Sequence, residues 1–172
     1  ALSEFLMKQQ AKGQIHERIT AIPNAWYPVY LVRGQGKNLV IDAGVNLLGP
    51  RYRNDIREIL GDDQPLHDLF LTHSHYDHIG AAGYLKEHFP GLQIGAHERL
   101  ANLMQKPSVL GLMNVLSANH VELLKYNAAG VDLTLRPFDI DIALKQGDRF
   151  DLGGLTCCVH ETPGHTKDSL SF

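Results

Sequence analysis

Within six residues this chain places four side chains able to bind a metal ion: His73, His75, Asp77 and His78, in the pattern H-x-H-x-D-H. The run lies between a short apolar segment at 68–71 (DLFL) and a stretch at 79–89 of helical character, stopped by Pro90-Gly91. A metal ion needs several N or O donors converging within about 2.0–2.2 Å. On an extended segment, side chains two residues apart share a face. His73, His75 and Asp77 therefore fall on one side, and His78 faces the other way as the chain turns into the helix. One short loop offers ligands in two directions, which suits two adjacent ions better than one. Taken singly, each histidine reads as solvent-facing and Asp77 as an N-cap ahead of Ile79. Their coincidence at ligand spacing makes metal binding the stronger reading.

The flanking sequence predicts a mixture of α and β structure. β-rich segments at 15–22 and 26–32 are separated by Pro23-Asn24, a turn signal. A short apolar run at 38–42 ends in Asp42, a helix is expected over 51–60 with Gly61 stopping it, and 92–95 reads as a strand. Residues 98–127 carry a helical pattern broken at Pro107. Short strands are then expected at 139–144, 149–152, 155–160 and 169–172, punctuated by Gly147-Asp148 and Gly153-Gly154. Neither repeat nor linker divides the 172 residues, so residues 1–172 are read as a single domain.

Composition removes several classes of function. The chain is 44% hydrophobic and 20% charged, as a globular protein is. A net charge of −3 supplies no basic face for nucleic acid and no polybasic cluster for a membrane surface. Cys157 and Cys158 are adjacent and alternate faces of a strand, so one is expected in the core and the other on the surface. With no disulfide framework, no leader-like N-terminus and no 18-residue apolar run, the expectation is a soluble cytoplasmic protein. The unusual feature is ten histidines. Among them His165 stands in Thr162-Pro163-Gly164-His165-Thr166, where a strand ends and turns, and beside H-x-H-x-D-H it supplies a third imidazole. His16, His67, His88, His97, His120 and His160 lack partners at ligand spacing and read as structural or solvent-facing.

H-x-H-x-D-H after a short apolar strand, with T-P-G-H-T before another, resembles the metallo-β-lactamase superfamily. Val40-Ile41-Asp42-Ala43-Gly44, the stretch from Gln146 to Gly154 and the strand at 155–160 agree with that pattern, and the resemblance runs from Gln14 onward. It implies an αββα sandwich of the α/β (α+β) class with metal ions at one edge between the sheets. By motif position His73, His75 and His165 would hold a first ion and Asp77 and His78 a second, with Asp42 beneath them orienting the ligand histidines. The family pattern continues with a metal-bridging aspartate about one hairpin later and a last histidine beyond it. This chain ends seven residues after His165, and Asp168 lies too close to His165 to be equated with the bridging residue. The expectation is therefore the N-terminal portion of a longer fold, its C-terminal part missing. The incomplete sheet would be covered by that segment or by a second copy of the chain.

The implied activity is metal-dependent hydrolysis. One or two Zn²⁺ ions, with Fe or Mn as alternatives, lower the pKa of bound water to about 7 and supply hydroxide to an ester, thioester, lactone or related bond. Asp77 would orient that nucleophile and take its proton. The helical insertion at 98–127 is expected near the site as a wall or lid. Leu110, Met113 and Leu116 either line an apolar pocket there or, as such stripes more often do, fill core. Two rival readings use the same fold: an iron-dependent oxidoreductase of the sulfur dioxygenase kind, and a non-catalytic fragment.

Overall fold

The computed structural model describes residues 13–22, 26–124, 132 and 134–172. Its centre is a seven-stranded sheet in which spatial order follows sequence order. β1 (Gln14–His16), β2 (Ile19–Ile22), β3 (Val29–Arg33) and β4 (Asn38–Ile41) form an antiparallel meander. β4 then runs parallel to β5 (Asp68–Phe70), β5 to β6 (Gln93–His97) and β6 to β7 (Ile142–Leu144). Parallel neighbours need long crossovers, and helices supply them. A 3₁₀ turn (Asn46–Leu48) leads into α1 (Gly49–Leu60), followed after β5 by α2 (Tyr76–Ile79) and α3 (Ala82–His88). After β6 come α4 (Glu98–Met104) and α5 (Pro107–Leu124). The chain finishes in two hairpins, β8 (Arg149–Asp151) with β9 (Thr156–Cys158) and β10 (His160–Glu161) with β11 (Leu170–Ser171).

The period-2 alternation of the strands divides the interior into two cores. Val40, Leu69 and Ile94 point to the helices and join Tyr52, Ile56, Ile79 and Leu85. Leu39, Phe70 and Leu144 point to the other face and join Leu152, Val159 and Leu170 of the hairpins. Helices, large sheet and a second β layer are thus stacked in the order the sandwich requires. Phe70 is fully buried between the layers, its ring 4.8 Å from Phe150 and 5.6 Å from Phe172.

Several elements differ from the sequence reading, each for a non-local reason. The segment at 15–22 is two strands, because Glu17-Arg18 turns and folds β1 back on β2. The expected turn at Pro23-Asn24 lies outside the described residues, as do residues 125–127 of the helical pattern. The helix expected over 79–89 begins at Tyr76 and breaks at Gly80-Ala81. There the Gly80 N–H leaves the helix and donates to the Gly44 carbonyl (2.8 Å), while Gly44 and Ile79 form a parallel bridge. Gly153-Gly154 forms the β8–β9 turn with φ of 79° and 73°, as a two-residue hairpin turn demands. Met113 is core, 8% exposed and packed with Val109, Leu110 and Val121, whereas Leu112 and Val115 of α5 face outward. Cys157 and Cys158 are both half-buried and both free.

At Gly80 three backbone atoms crowd the position a side chain would take. A Cβ there would stand 2.6 Å from the Asn46 nitrogen and the Tyr76 carbonyl oxygen and 2.8 Å from the Gly44 carbonyl oxygen. None of these is a side chain that can rotate away. Gly80→Ala is expected to cost at least about 2 kcal/mol of stability through backbone displacement. Urea unfolding of the pair would show it, and an unchanged midpoint would refute it.

Candidate metal centre

The site forms at the carboxyl ends of the parallel strands, where crossing connections leave room for a ligand. Parallel pairing sets Ile41 opposite Phe70, so the residues that leave β4 and β5 emerge side by side. The Asp42 N–H donates to the Phe70 carbonyl (2.9 Å), and Asp42 takes a left-handed conformation with φ of 63°. Aspartate visits that region more readily than most residues. The turn aims the buried Asp42 carboxylate across the end of β5. The Thr72 N–H donates to Oδ1 at 2.8 Å, and the Thr72 hydroxyl lies 2.9 Å from both carboxylate oxygens. His78 Nδ1 lies 2.7 Å from Oδ2. One carboxylate thereby receives donors from both ends of the H-x-H-x-D-H loop.

The loop leaves β5 extended and enters α2 at Tyr76, with His75 at the N-cap position and no side-chain cap bond. Asp77 lies in the first turn of α2 and does not cap it, so its carboxylate is not committed to the helix end. His165 arrives from the second β layer. Its loop is closed by Thr162 N–H to the Ser169 carbonyl (2.9 Å), and by the hydroxyl pairs Thr162–Ser171 (2.9 Å) and Thr166–Ser169 (2.7 Å). The Leu170 N–H donates to the Thr72 carbonyl (2.8 Å), docking this hairpin on the motif loop.

His73, His75 and His165 converge. One nitrogen from each can be chosen so that all lie within 4.8 Å of one another. His165 Nε2 is 3.1 Å from His75 Nδ1, and the His73 ring centroid is 4.8 Å from His75 and 5.1 Å from His165. His73 Nε2 is buried and has no hydrogen-bond partner. An unpaired polar atom away from water costs free energy unless something else satisfies it, and a cation does so for an imidazole lone pair. Two solvent-reaching imidazoles and one orphaned buried nitrogen, all N donors, fit a zinc-type ion. Asp77 and His78 lie alongside: the His78 ring is 4.1 Å from that of His73, and its Nε2 is 3.9 Å from Asp77 Oδ2.

The electrostatics separate the two histidines over the carboxylate. Burial, then the neighbouring His78 and His75, push the His73 pKa down to about 4, with Asp42 opposing. His73 is therefore neutral near pH 7, as a ligand must be. Burial also opposes charge on His78, but the hydrogen bond and charge of Asp42, with Asp77, outweigh it and raise its pKa. Burial and the charge of Asp77 raise the phenols of Tyr27 and Tyr76. Thr72, Tyr27 and Tyr76 are site neighbours that sequence reasoning did not single out. Thr72 and Tyr76 adjoin or lie inside the motif, whereas no sequence signal marks Tyr27.

Of the remaining histidines, His67, His88 and His97 serve local structure. Nδ1 of His67 accepts from Asn38 N–H (3.0 Å), Nδ1 of His97 accepts from Arg99 N–H at the start of α4, and His88 stacks on Tyr84. His16 and His160 are exposed, and the side chain of His120 lies outside the described residues. Asp168 is buried, with one carboxylate oxygen unpartnered, and does not belong to the three-histidine group.

Comparison with known proteins identifies relatives of this chain. A family model described as the metallo-beta-lactamase superfamily matches residues 28–172. A hydroxyacylglutathione hydrolase of Bradyrhizobium sp. (strain ORS 278) is 27% identical over 117 residues, covering 68% of this chain and 32% of the relative. A probable metallo-hydrolase of Streptococcus pyogenes is 28% identical over 138 residues, covering 78% of this chain and 53% of the relative. An archaeal metallo-beta-lactamase superfamily protein from Sulfolobus tokodaii superposes with a TM-score of 0.59 at 26% identity, over 84% of this chain and 52% of that one. A class B3 di-zinc metallo-beta-lactamase from an Alaskan soil metagenome superposes with a TM-score of 0.67 at 24% identity, over 91% and 54%. The chain thus spans between a third and about half of the length of these relatives.

The lowered His73 pKa has a consequence for the metal-free protein. Between pH 6.5 and about 4 the unfolded chain protonates His73 and the folded one does not. The unfolded state then binds more protons, so stability falls as pH drops through this window, by at most about 3 kcal/mol. His78, raised, acts oppositely above pH 6.5: its contribution is present below that value and fades as pH rises through its folded pKa. Urea midpoints measured without metal should decline on the acid side, and His73→Gln should flatten that decline. An acid limb unchanged in His73→Gln would contradict the assignment.

Proposed function

The chain belongs to the metallo-beta-lactamase superfamily, and from that footing we propose that it is a metal-dependent hydrolase of acyl-type small molecules. The observation that carries the reading is the meeting of His73, His75 and His165 from loops 90 residues apart, with a buried nitrogen of His73 left for an ion. These three residues would hold one zinc ion, and Asp77 and His78 a second. A bound ion of this kind lowers the pKa of its water to about 7 and polarises the bond to be cut.

The protein's own groups supply the remainder. His73 and His78 are held in place from below by Asp42 and Thr72, so their geometry is set before substrate arrives. Asp77 is half-buried at the start of α2 with no capping duty. Its carboxylate would orient the attacking water and carry its proton to the leaving group. No serine or cysteine nucleophile is needed. The hydroxyacylglutathione hydrolases among the relatives favour a thioester, and the same apparatus serves esters and lactones. Imidazole and carboxylate also serve iron and manganese, so metal identity is part of the test. Among the described residues no helix is long and apolar enough to cross a membrane.

Purified full-length protein is expected to carry one to two equivalents of zinc and to hydrolyse thioesters or esters. A chelator should abolish turnover and added zinc restore it. His165→Ala should lose metal and reduce kcat/KM by at least about 10³-fold, the loss of several kcal/mol of charge stabilisation. Asp77→Asn should lower kcat by about 10²-fold or more. One equivalent of iron with oxygen consumption and no hydrolysis would replace the hydrolase by an oxidoreductase.

A further inference from the structure

We propose that Thr72 is a positioning residue that fixes the tautomer of His73, so that Asp42 orients imidazoles on both sides of the metal centre. The inference rests on the metal-binding reading of His73 above. Four contacts of one hydroxyl carry it. Thr72 Oγ1 lies 2.9 Å from Asp42 Oδ1, 2.9 Å from Asp42 Oδ2, 3.0 Å from His73 Nδ1 and 3.5 Å from His78 Nδ1.

A hydroxyl has one proton to give and two lone pairs to receive. The Asp42 carboxylate only accepts, so oxygens at 2.9 Å require the Thr72 proton to point at Asp42. The side of the hydroxyl that faces His73 is then a lone pair. A lone pair on Nδ1 facing it at 3.0 Å would repel, so Nδ1 must carry the imidazole proton. Neutral His73 then has its free lone pair on Nε2, the buried nitrogen that no protein group satisfies. His78 is treated alike but directly: its Nδ1 donates to Asp42 Oδ2 at 2.7 Å, which leaves Nε2 on the Asp77 side.

Asp42 therefore reaches one histidine by contact and the other through Thr72. The Thr72 backbone N–H bonded to Asp42 Oδ1 at 2.8 Å holds the intermediary in register. An apolar side chain at position 72 would leave the carboxylate short of a donor and leave His73 free to take either tautomer. A serine would keep the relay.

Two measurements on the full-length protein decide it. Long-range ¹H–¹⁵N NMR of the metal-free protein reads the His73 tautomer directly. The Nδ1-protonated form is expected in wild type and in Thr72→Ser, and a mixture in Thr72→Val. Zinc affinity, measured by competition with a chromophoric chelator, should fall about 10- to 100-fold in Thr72→Val and stay close to wild type in Thr72→Ser. Wild-type His73 protonated at Nε2, or Thr72→Val binding zinc as tightly as wild type, would overturn the proposal. If Thr72→Val does not fold, the wild-type spectrum still decides. If wild type binds no divalent ion, the hydrolase reading fails while the tautomer result stands on its own.

Discussion

The parallel pairing of β4 with β5 is the constraint on which the site depends. It sets Ile41 opposite Phe70 and so brings Asp42, the first residue after β4, and Thr72, the second residue after β5, within hydrogen-bonding reach. A slip of one residue would invert every side chain in the strand. It would move Phe70 out of the hairpin-side core and carry Thr72 away from the carboxylate. The register is held by burial on both faces, with Val40 and Leu69 in one core and Leu39 and Phe70 in the other. Hydrophobic packing over two layers therefore decides the position of a polar cluster that contributes little packing of its own.

That cluster trades stability for readiness. Asp42 holds a left-handed conformation, His73 keeps a buried nitrogen without a partner, and three imidazoles crowd around one point. Each costs free energy in the metal-free chain, of order 1–3 kcal/mol for a strained backbone or an unsatisfied polar atom. An ion would offset the second of these costs and turn the histidine crowding into coordination. Binding to the folded state alone then adds to stability. The depressed His73 pKa belongs to the same logic: burial and neighbouring imidazoles keep it neutral, the state in which it can bind metal.

What the sequence disclosed was what depends on local spacing. H-x-H-x-D-H reads as a ligand loop because its residues lie within one turn of chain, and the short apolar runs at 38–42, 68–71 and 92–95 read as strands, as β4, β5 and β6 are. His165 was found differently, through the pattern Thr162 to Thr166 and a family resemblance, since no spacing argument joins residues 90 apart. Thr72 escaped because a threonine before a histidine is ordinary, and its role exists only once Asp42 arrives from another strand. The break at Gly80 escaped for the same reason: its cause is the Gly44 carbonyl, 36 residues earlier. Tyr27 feels the charge of Asp77 only through the fold, and its backbone carbonyl accepts from the buried Tyr52 hydroxyl.

The third imidazole shows how far the metal centre depends on packing outside it. His165 is exposed and lies on a loop whose internal hydrogen bonds fix its shape but not its place. Its place comes from Leu170 and Val159, which are buried beside Phe70, and from the single backbone bond between Leu170 and Thr72. Burying two such side chains is worth about 3–6 kcal/mol, whereas an exposed imidazole gains little by itself. An ion bound by His73, His75 and His165 would cross-link the helix-backed sheet to the hairpin layer. Metal affinity and the docking of that layer must then rise and fall together, because each stabilises the arrangement the other requires.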